Sequence, residues 1–131
     1  MPAEASALHS QHQPDRLRAR GIMALNGMFD EMDGISVLRQ AASELLPGDL
    51  AIVSSFGADS AVLLHMVAQV DASLPIFFLE TGKHFPETLA YVETLKGALG
   101  LTNVTALTPD AKDLARFDPR GDLWETDPDS C

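Results

Sequence analysis

Cysteine is nearly absent from this chain: there is one in 131 residues, and it is the last, Cys131. An internal disulfide framework is therefore excluded, although a lone thiolate still leaves room for a metal or cluster site completed by ligands from elsewhere. Basic residues are scarce as well. Only 9 Lys and Arg stand against 19 Asp and Glu, a net charge of −10, whereas binding nucleic acid or an anionic membrane needs a basic face. The one basic cluster, Arg16 to Arg20 (RLRAR), reads as a solvated helix face. No apolar run reaches membrane-spanning length, and the most apolar helical stretch is broken by His65 and Gln69. The N-terminus lacks the charged-then-apolar order of a secretory signal. These absences set the expectation of a cytoplasmic protein with no nucleic-acid and no membrane partner. No internal repeat or long low-complexity tract is present.

Hydrophobic residues make up 46% of the chain, enough for a packed core within one domain of ordinary size. Residues 1–20, rich in Ala, Ser, His and Gln and containing His9 and His12, are expected to form a flexible leader. Ile35, Leu38, Ala42, Leu45 and Leu46 then recur at helical spacing until Pro47-Gly48-Asp49 stops the helix. From there the pattern alternates. Leu50 to Phe56 is short and β-branched and predicts a strand buried on both faces. DSAVLLHMVAQV predicts a helix apolar nearly all round and buried, with His65 a core or near-core histidine. Pro75 to Leu79 predicts a second buried strand. A helix starting at Pro86 follows, lined by Leu89, Val92, Leu95 and Leu99 and capped by Gly100; Glu87 and Glu93 belong on its solvated face. NVTAL predicts a third strand and PDAKDLARF a short helix.

Strand, helix, strand, helix, strand is the pattern of right-handed crossovers in a parallel sheet. The expected fold is α/β, a parallel sheet with flanking helices. The tail from Phe117 has no period and two Asp-Pro turns, so it is expected to be irregular, with Phe117 and Trp124 packing it onto the sheet. Such an ending on an unpaired cysteine suggests a truncated chain.

Two loops leave the C-terminal ends of the first two strands, the edge where open α/β sheets bind ligands. In the first, Ser55-Phe56-Gly57-Ala58-Asp59-Ser60, glycine allows close backbone approach. Free amides at the helix start and the Ser55 and Ser60 hydroxyls offer donors to an anion. Spacing alone leaves open the alternative of a tight turn in which Asp59 or Ser60 merely caps the helix. The second loop offers Thr81, Gly82, Lys83 and His84: a hydroxyl, an unhindered backbone, a fixed cation and a titratable ring. A solvated lysine and a polar loop histidine are the plain alternative.

Taken together, SSFGADSAVLLH, FLETGKHFPETLAY, LTPDAKDLA and GDLWETDPDSC resemble the adenylyl-sulfate and phosphoadenylyl-sulfate reductases of assimilatory sulfate reduction. These are thioredoxin-dependent enzymes of the PP-loop superfamily, related to the adenine-nucleotide alpha hydrolases. The resemblance runs from about Gly34 to Cys131. It implies a PP-loop nucleotide-binding fold and makes residues 21–131 the N-terminal part of a sulfonucleotide reductase domain. It also implies that Ser55, Phe56, Gly57, Asp59 and Ser60 receive the phosphosulfate, and that Leu79, Thr81, Gly82 and Lys83 line the adenosine side. The family loop usually reads Leu-Asp-Thr-Gly; Glu80 here is one methylene longer. Phe56 stands where ATP-cleaving PP-loop enzymes carry a glycine-like residue, which favours a reductase.

Cys131 matches the first of an adjacent cysteine pair that, with a later Cys-x-x-Cys, holds a [4Fe–4S] cluster in the family. It is thus implied as one of four metal ligands and as a sign of adenylyl sulfate, rather than its 3′-phosphorylated form, as substrate. The family's nucleophilic cysteine lies in a Glu-Cys-Gly-x-His segment that this sequence does not contain. The implied reaction yields sulfite and AMP for cysteine biosynthesis, with thioredoxin or glutaredoxin as reductant and a homo-oligomer as a further partner. This chain alone is expected to bind nucleotide weakly or not at all and to be inactive. Two other readings stay open: a PP-loop ATP pyrophosphatase, which would release pyrophosphate from ATP, and a non-catalytic nucleotide-binding module.

Overall fold

The computed structural model of the chain describes residues 21–130. The expected leader, with RLRAR, His9 and His12, and the expected ligand Cys131 lie outside the described residues.

Helix α1 (Ile22–Phe29) was not anticipated from the sequence, although Ile22, Leu25 and Phe29 follow helical spacing. None of its residues is buried. Helix α2 (Gly34–Gln40) starts at Asp33, whose carboxylate accepts from the Ser36 backbone N–H at 2.8 Å and its hydroxyl at 3.0 Å. The helix then passes into one π-helical turn, Ala41–Leu45. Those two hydrogen bonds from Ser36 favour the Asp33 carboxylate and hold its pKa below the usual aspartate value. A carboxylate with a depressed folded-state pKa stabilises the fold fully above its unfolded pKa, and that contribution is lost as pH falls through the lowered value. Asp33→Asn is therefore expected to make the amide exchange of Ile35–Arg39 less sensitive to acid. Hydrogen exchange at pH 3 and pH 6 checks this.

The sheet consists of β1 (Ile52–Val53), β2 (Ile76–Leu79) and β3 (Val104–Leu107), all parallel and in the order β1-β2-β3. Ile52 lies opposite Ile76, and Ile76 opposite Val104. Helix α3 (Ala58–Asp71) crosses from β1 to β2, and α4 (Pro86–Leu99) from β2 to β3. Both crossovers step in the same direction. Right-handed connections then place both helices on one face of the sheet. The core forms there, from Ile52, Phe56, Leu64, Val67, Ile76, Phe78 and Val92.

The opposite face has no such cover among the described residues: Val53 is 68% and Leu79 57% exposed. The strands expected to be buried on both faces therefore bury alternate residues only. Helix α3 likewise buries a single stripe, Leu64 and Val67, while Val62 on its other side is 64% exposed. His65 is not a core residue. It is exposed and accepts from the Gln69 side-chain amide at 2.8 Å.

Helix α4 opens on Pro86, where the missing N–H costs nothing, and closes on Gly100 in the left-handed region at φ 66°. Glu87 and Glu93 are exposed, and Glu93 pairs with Lys96 at 3.0 Å. After β3, Asp110 caps α5 (Ala111–Phe117) by accepting from Lys112 N–H at 2.7 Å. The tail contains more order than its lack of period implied. It holds α6 (Leu123–Thr126) and a 3-10 turn (Pro128–Ser130), elements too short to express a period. Phe117 and Trp124 do not seal it onto the sheet. They remain 60% and 52% exposed and line a cavity described below. No described helix is long and apolar enough to cross a membrane.

Candidate nucleotide site

The first loop begins where β1 stops. Ser54 N–H still donates to Phe77 O at 3.0 Å, and its buried hydroxyl accepts from Phe56 N–H at 3.1 Å. Phe56 then turns the chain through φ 55°, the only positive φ of a described residue other than glycine. A left-handed L-residue costs roughly 1–2 kcal/mol. Burying a phenylalanine ring contributes about 1.5–3 kcal/mol, and this one is 1% exposed. Burial therefore offsets the strain. The position has a glycine-like backbone held by a large side chain, so the turn is shaped by the core rather than by a flexible residue.

Gly57 is the N-cap of α3, and no side chain caps the helix. Asp59 and Ser60 lie inside its first turn, so the capping alternative raised by the sequence is absent. The first-turn N–H groups of Ala58, Asp59 and Ser60 have no hydrogen-bond partner among the described residues. Beside them the Ser55 and Ser60 hydroxyls lie 3.2 Å apart, and Ser55 Oγ also accepts from Gly57 N–H at 3.4 Å. Unpartnered amides, the positive end of a fourteen-residue helix and two hydroxyls thus converge on one corner. Asp59 is exposed in the same turn, where its charge suits the helix dipole but opposes an incoming anion.

The second loop leaves β2, the parallel neighbour of β1, and so emerges at the same edge of the sheet. Glu80 N–H extends the ladder by donating to Leu107 O at 2.9 Å. Its carboxylate accepts from Gly82 N–H at 2.7 Å, which gives Glu80 a role: it folds the loop back so that Gly82 adopts φ 73°. Thr81 Oγ1 accepts from Lys83 N–H at 3.3 Å. The Lys83 ammonium donates to Gly121 O at 2.6 Å and so ties the loop to the C-terminal segment. Thr81 and Lys83 form one wall of a cavity of about 540 Å³, whose apolar walls are Leu114, Phe117, Leu123 and Trp124. Thr81 also borders a cavity of about 300 Å³ between the ends of β2 and β3, with Leu79, Glu80 and Leu107.

Of the residues singled out from the sequence, Ser55, Phe56, Gly57, Asp59 and Ser60 share the first corner, while Leu79, Thr81, Gly82 and Lys83 occupy the adjacent loop. Sequence reasoning passed over two residues. Ser54 fixes the entry to the turn, and Phe78 packs edge-to-face on Phe56, ring centres 5.5 Å apart. Burial of alternate residues along the strands was the signal available for both.

A parallel α/β sheet with unpartnered amides and hydroxyls at its strand ends has the layout in which open α/β folds bind ligands. The profile of the family described as "Phosphoadenosine phosphosulfate reductase domain" matches residues 49–131, and the chain belongs to that family. Similar proteins carry both substrate names. An adenosine 5′-phosphosulfate reductase of Chelativorans sp. is 55% identical over all of this chain and 48% of its own length. One of Mesorhizobium japonicum is 46% identical over 82% of the chain and 42% of its own length. A phosphoadenosine 5′-phosphosulfate reductase of Shewanella oneidensis is 43% identical over 61% and 32%. A crystal structure of phosphoadenylyl-sulfate reductase from Candida auris, a phosphate complex, superposes with TM-score 0.70 at 26% identity, covering 86% of this chain and 55% of that one. The chain spans about half the length of the curated relatives it matches.

Proposed function

We propose that this chain is the nucleotide-receiving part of a thioredoxin-dependent adenylyl-sulfate reductase of assimilatory sulfate reduction. The observation that carries the reading is the open corner at Ala58–Ser60 beside the Thr81–Gly82 loop. The Candida auris phosphate complex supports an anion in this fold. The amides and the Ser55 and Ser60 hydroxyls would take the phosphosulfate, and the Leu79–Gly82 strand end the adenosine, so weak binding rather than none is the outcome this reading requires of the chain alone. With a net charge of −10 on the chain, only donors this local can outweigh its field.

The reduction itself needs an activated thiolate. It attacks the sulfur, the bond from sulfur to the phosphate oxygen breaks, and AMP leaves with that electron pair. Reductant thiols then release sulfite as a disulfide forms. The nucleophile is proposed to lie outside these residues. Cys131 is proposed as one thiolate ligand of a [4Fe–4S] cluster. The donor set of this chain does not fit that group by itself, because a cubane takes four ligands and the sequence has one cysteine. Among the described residues no cluster of three or more His, Cys, Asp or Glu could hold a metal ion. The 3′-phosphorylated nucleotide is the second reading, since relatives of both names match.

With adenylyl sulfate and reduced thioredoxin, this chain alone is expected to release no sulfite. Sulfite release would contradict the assignment of the nucleophile. Titration with AMP and with its 3′-phosphorylated form separates the two substrate readings: tighter binding of AMP supports the first, and tighter binding of the 3′-phosphate the second.

A further inference from the structure

Three aromatic rings run in a line from the first loop to the second. Phe56, in the strained turn of the anion corner, packs its ring edge-to-face on Phe78, with centroids 5.5 Å apart and planes at 82°. Phe78 is 3% exposed on β2, one residue before Leu79. It also stacks on His84, with centroids 5.0 Å apart and planes at 29°. His84 Nε2 lies 2.9 Å from Leu79 O. A carbonyl oxygen can only accept, so Nε2 carries the proton and donates. The histidine thus folds the Glu80–His84 loop back onto the strand it leaves. Its ring rests on the same phenylalanine that keeps Phe56 in its left-handed conformation.

We propose that the Phe56–Phe78–His84 stack couples the two loops of the site, with His84 a positioning residue that acts through Leu79 and Phe78 on the Gly57–Ser60 corner. The inference deepens the nucleotide-binding reading and rests on it for its functional meaning. The mechanical part stands on geometry alone. Each ring is fixed by a partner: the Phe56 backbone by Ser54 Oγ, Phe78 by the ladder between β2 and β3, and His84 by Leu79 O. A shift of the His84 ring therefore has a direct route to the corner through Phe78, although 23 or more residues of chain lie between the two.

The test uses backbone amide NMR signals of the whole chain and titration with inorganic phosphate and AMP. His84→Ala is expected to move the signals of Gly57–Ser60 as well as those of Leu79–Phe85. It should also weaken phosphate and AMP binding roughly 3- to 10-fold, the scale of one aromatic pair. His84→Phe keeps the stack without the hydrogen bond and should restore the Gly57–Ser60 signals, which a general loss of stability would not do. The amides of Glu93–Leu99, away from the stack, report such a general loss. If His84→Ala or, should that variant not fold, His84→Gln leaves Gly57–Ser60 unmoved, the coupling is overturned. The same holds if His84→Phe fails to restore those signals. The two ideas fail separately. Should the native chain ignore both ligands while the His84 variants still move Gly57–Ser60, the nucleotide reading falls and the coupling stands.

Discussion

Leu64→Ala is expected to remove a large share of the chain's stability at room temperature. Leu64 has no exposed surface and belongs, with Val67 of the same helix and Ile76 of β2, to the core on the covered face of the sheet. Removing such a side chain costs about 2–5 kcal/mol in transfer and cavity terms. A domain of this size has only about 5–15 kcal/mol in total. A sheet covered on one face, with Val53, Leu79 and Leu107 left open, falls toward the lower end of that range. Val62→Ala removes a similar side chain from the other side of the same helix, where 64% of it is exposed. That change should stay within about 0.5 kcal/mol. Urea denaturation followed by circular dichroism compares the two. Equal losses would mean that α3 is buried all round, as the sequence suggested, and that the one-sided core is wrong.

Ser60→Asp is expected to separate folding from binding. Ser60 occupies the first turn of α3, where a carboxylate interacts favourably with the helix dipole, so the thermal midpoint should hold or rise. The same carboxylate would sit among the Ala58–Ser60 amides and displace the hydroxyl now 3.2 Å from Ser55 Oγ. At about 4 Å from a bound anion, and at the effective dielectric of a protein surface, two like charges repel by roughly 4 kcal/mol. With about a third of that screened, affinity for a sulfonucleotide should fall by about 100-fold. Ser60→Ala loses one hydrogen bond only, about 1 kcal/mol, and should cost roughly 5-fold. Isothermal titration with adenylyl sulfate alongside thermal melting reads both quantities. Undiminished binding by Ser60→Asp would remove the anion from this corner.

The strand–helix alternation was plain because the apolar periods and the breakers Pro47-Gly48, Pro86 and Gly100 agree with the structure at each boundary. Which face of each strand is buried was not. Apolar residues at Val53 and Leu79 look the same in sequence whether or not a second layer covers them, and only the common direction of the two crossovers assigns the helices to one side. The Ser55–Ser60 loop was legible as a motif but not as a conformation. Phe56 in the left-handed region, held by Phe78, depends on a contact between residues 22 positions apart. Glu80 drew notice for its extra methylene, and its bond to Gly82 N–H explains how the longer side chain shapes the turn. Helix α1 and the short α6 escaped notice because one has no buried residue and the other is four residues long.

The most direct measurement is a titration of the chain with adenylyl sulfate and, separately, with adenosine, up to roughly millimolar concentration, followed by backbone amide NMR. The account predicts that adenylyl sulfate moves the Ala58, Asp59 and Ser60 signals together with those of Thr81 and Gly82, while adenosine leaves the first three in place. Silence at Ala58–Ser60 with adenylyl sulfate, or the same shifts there with adenosine, would contradict it.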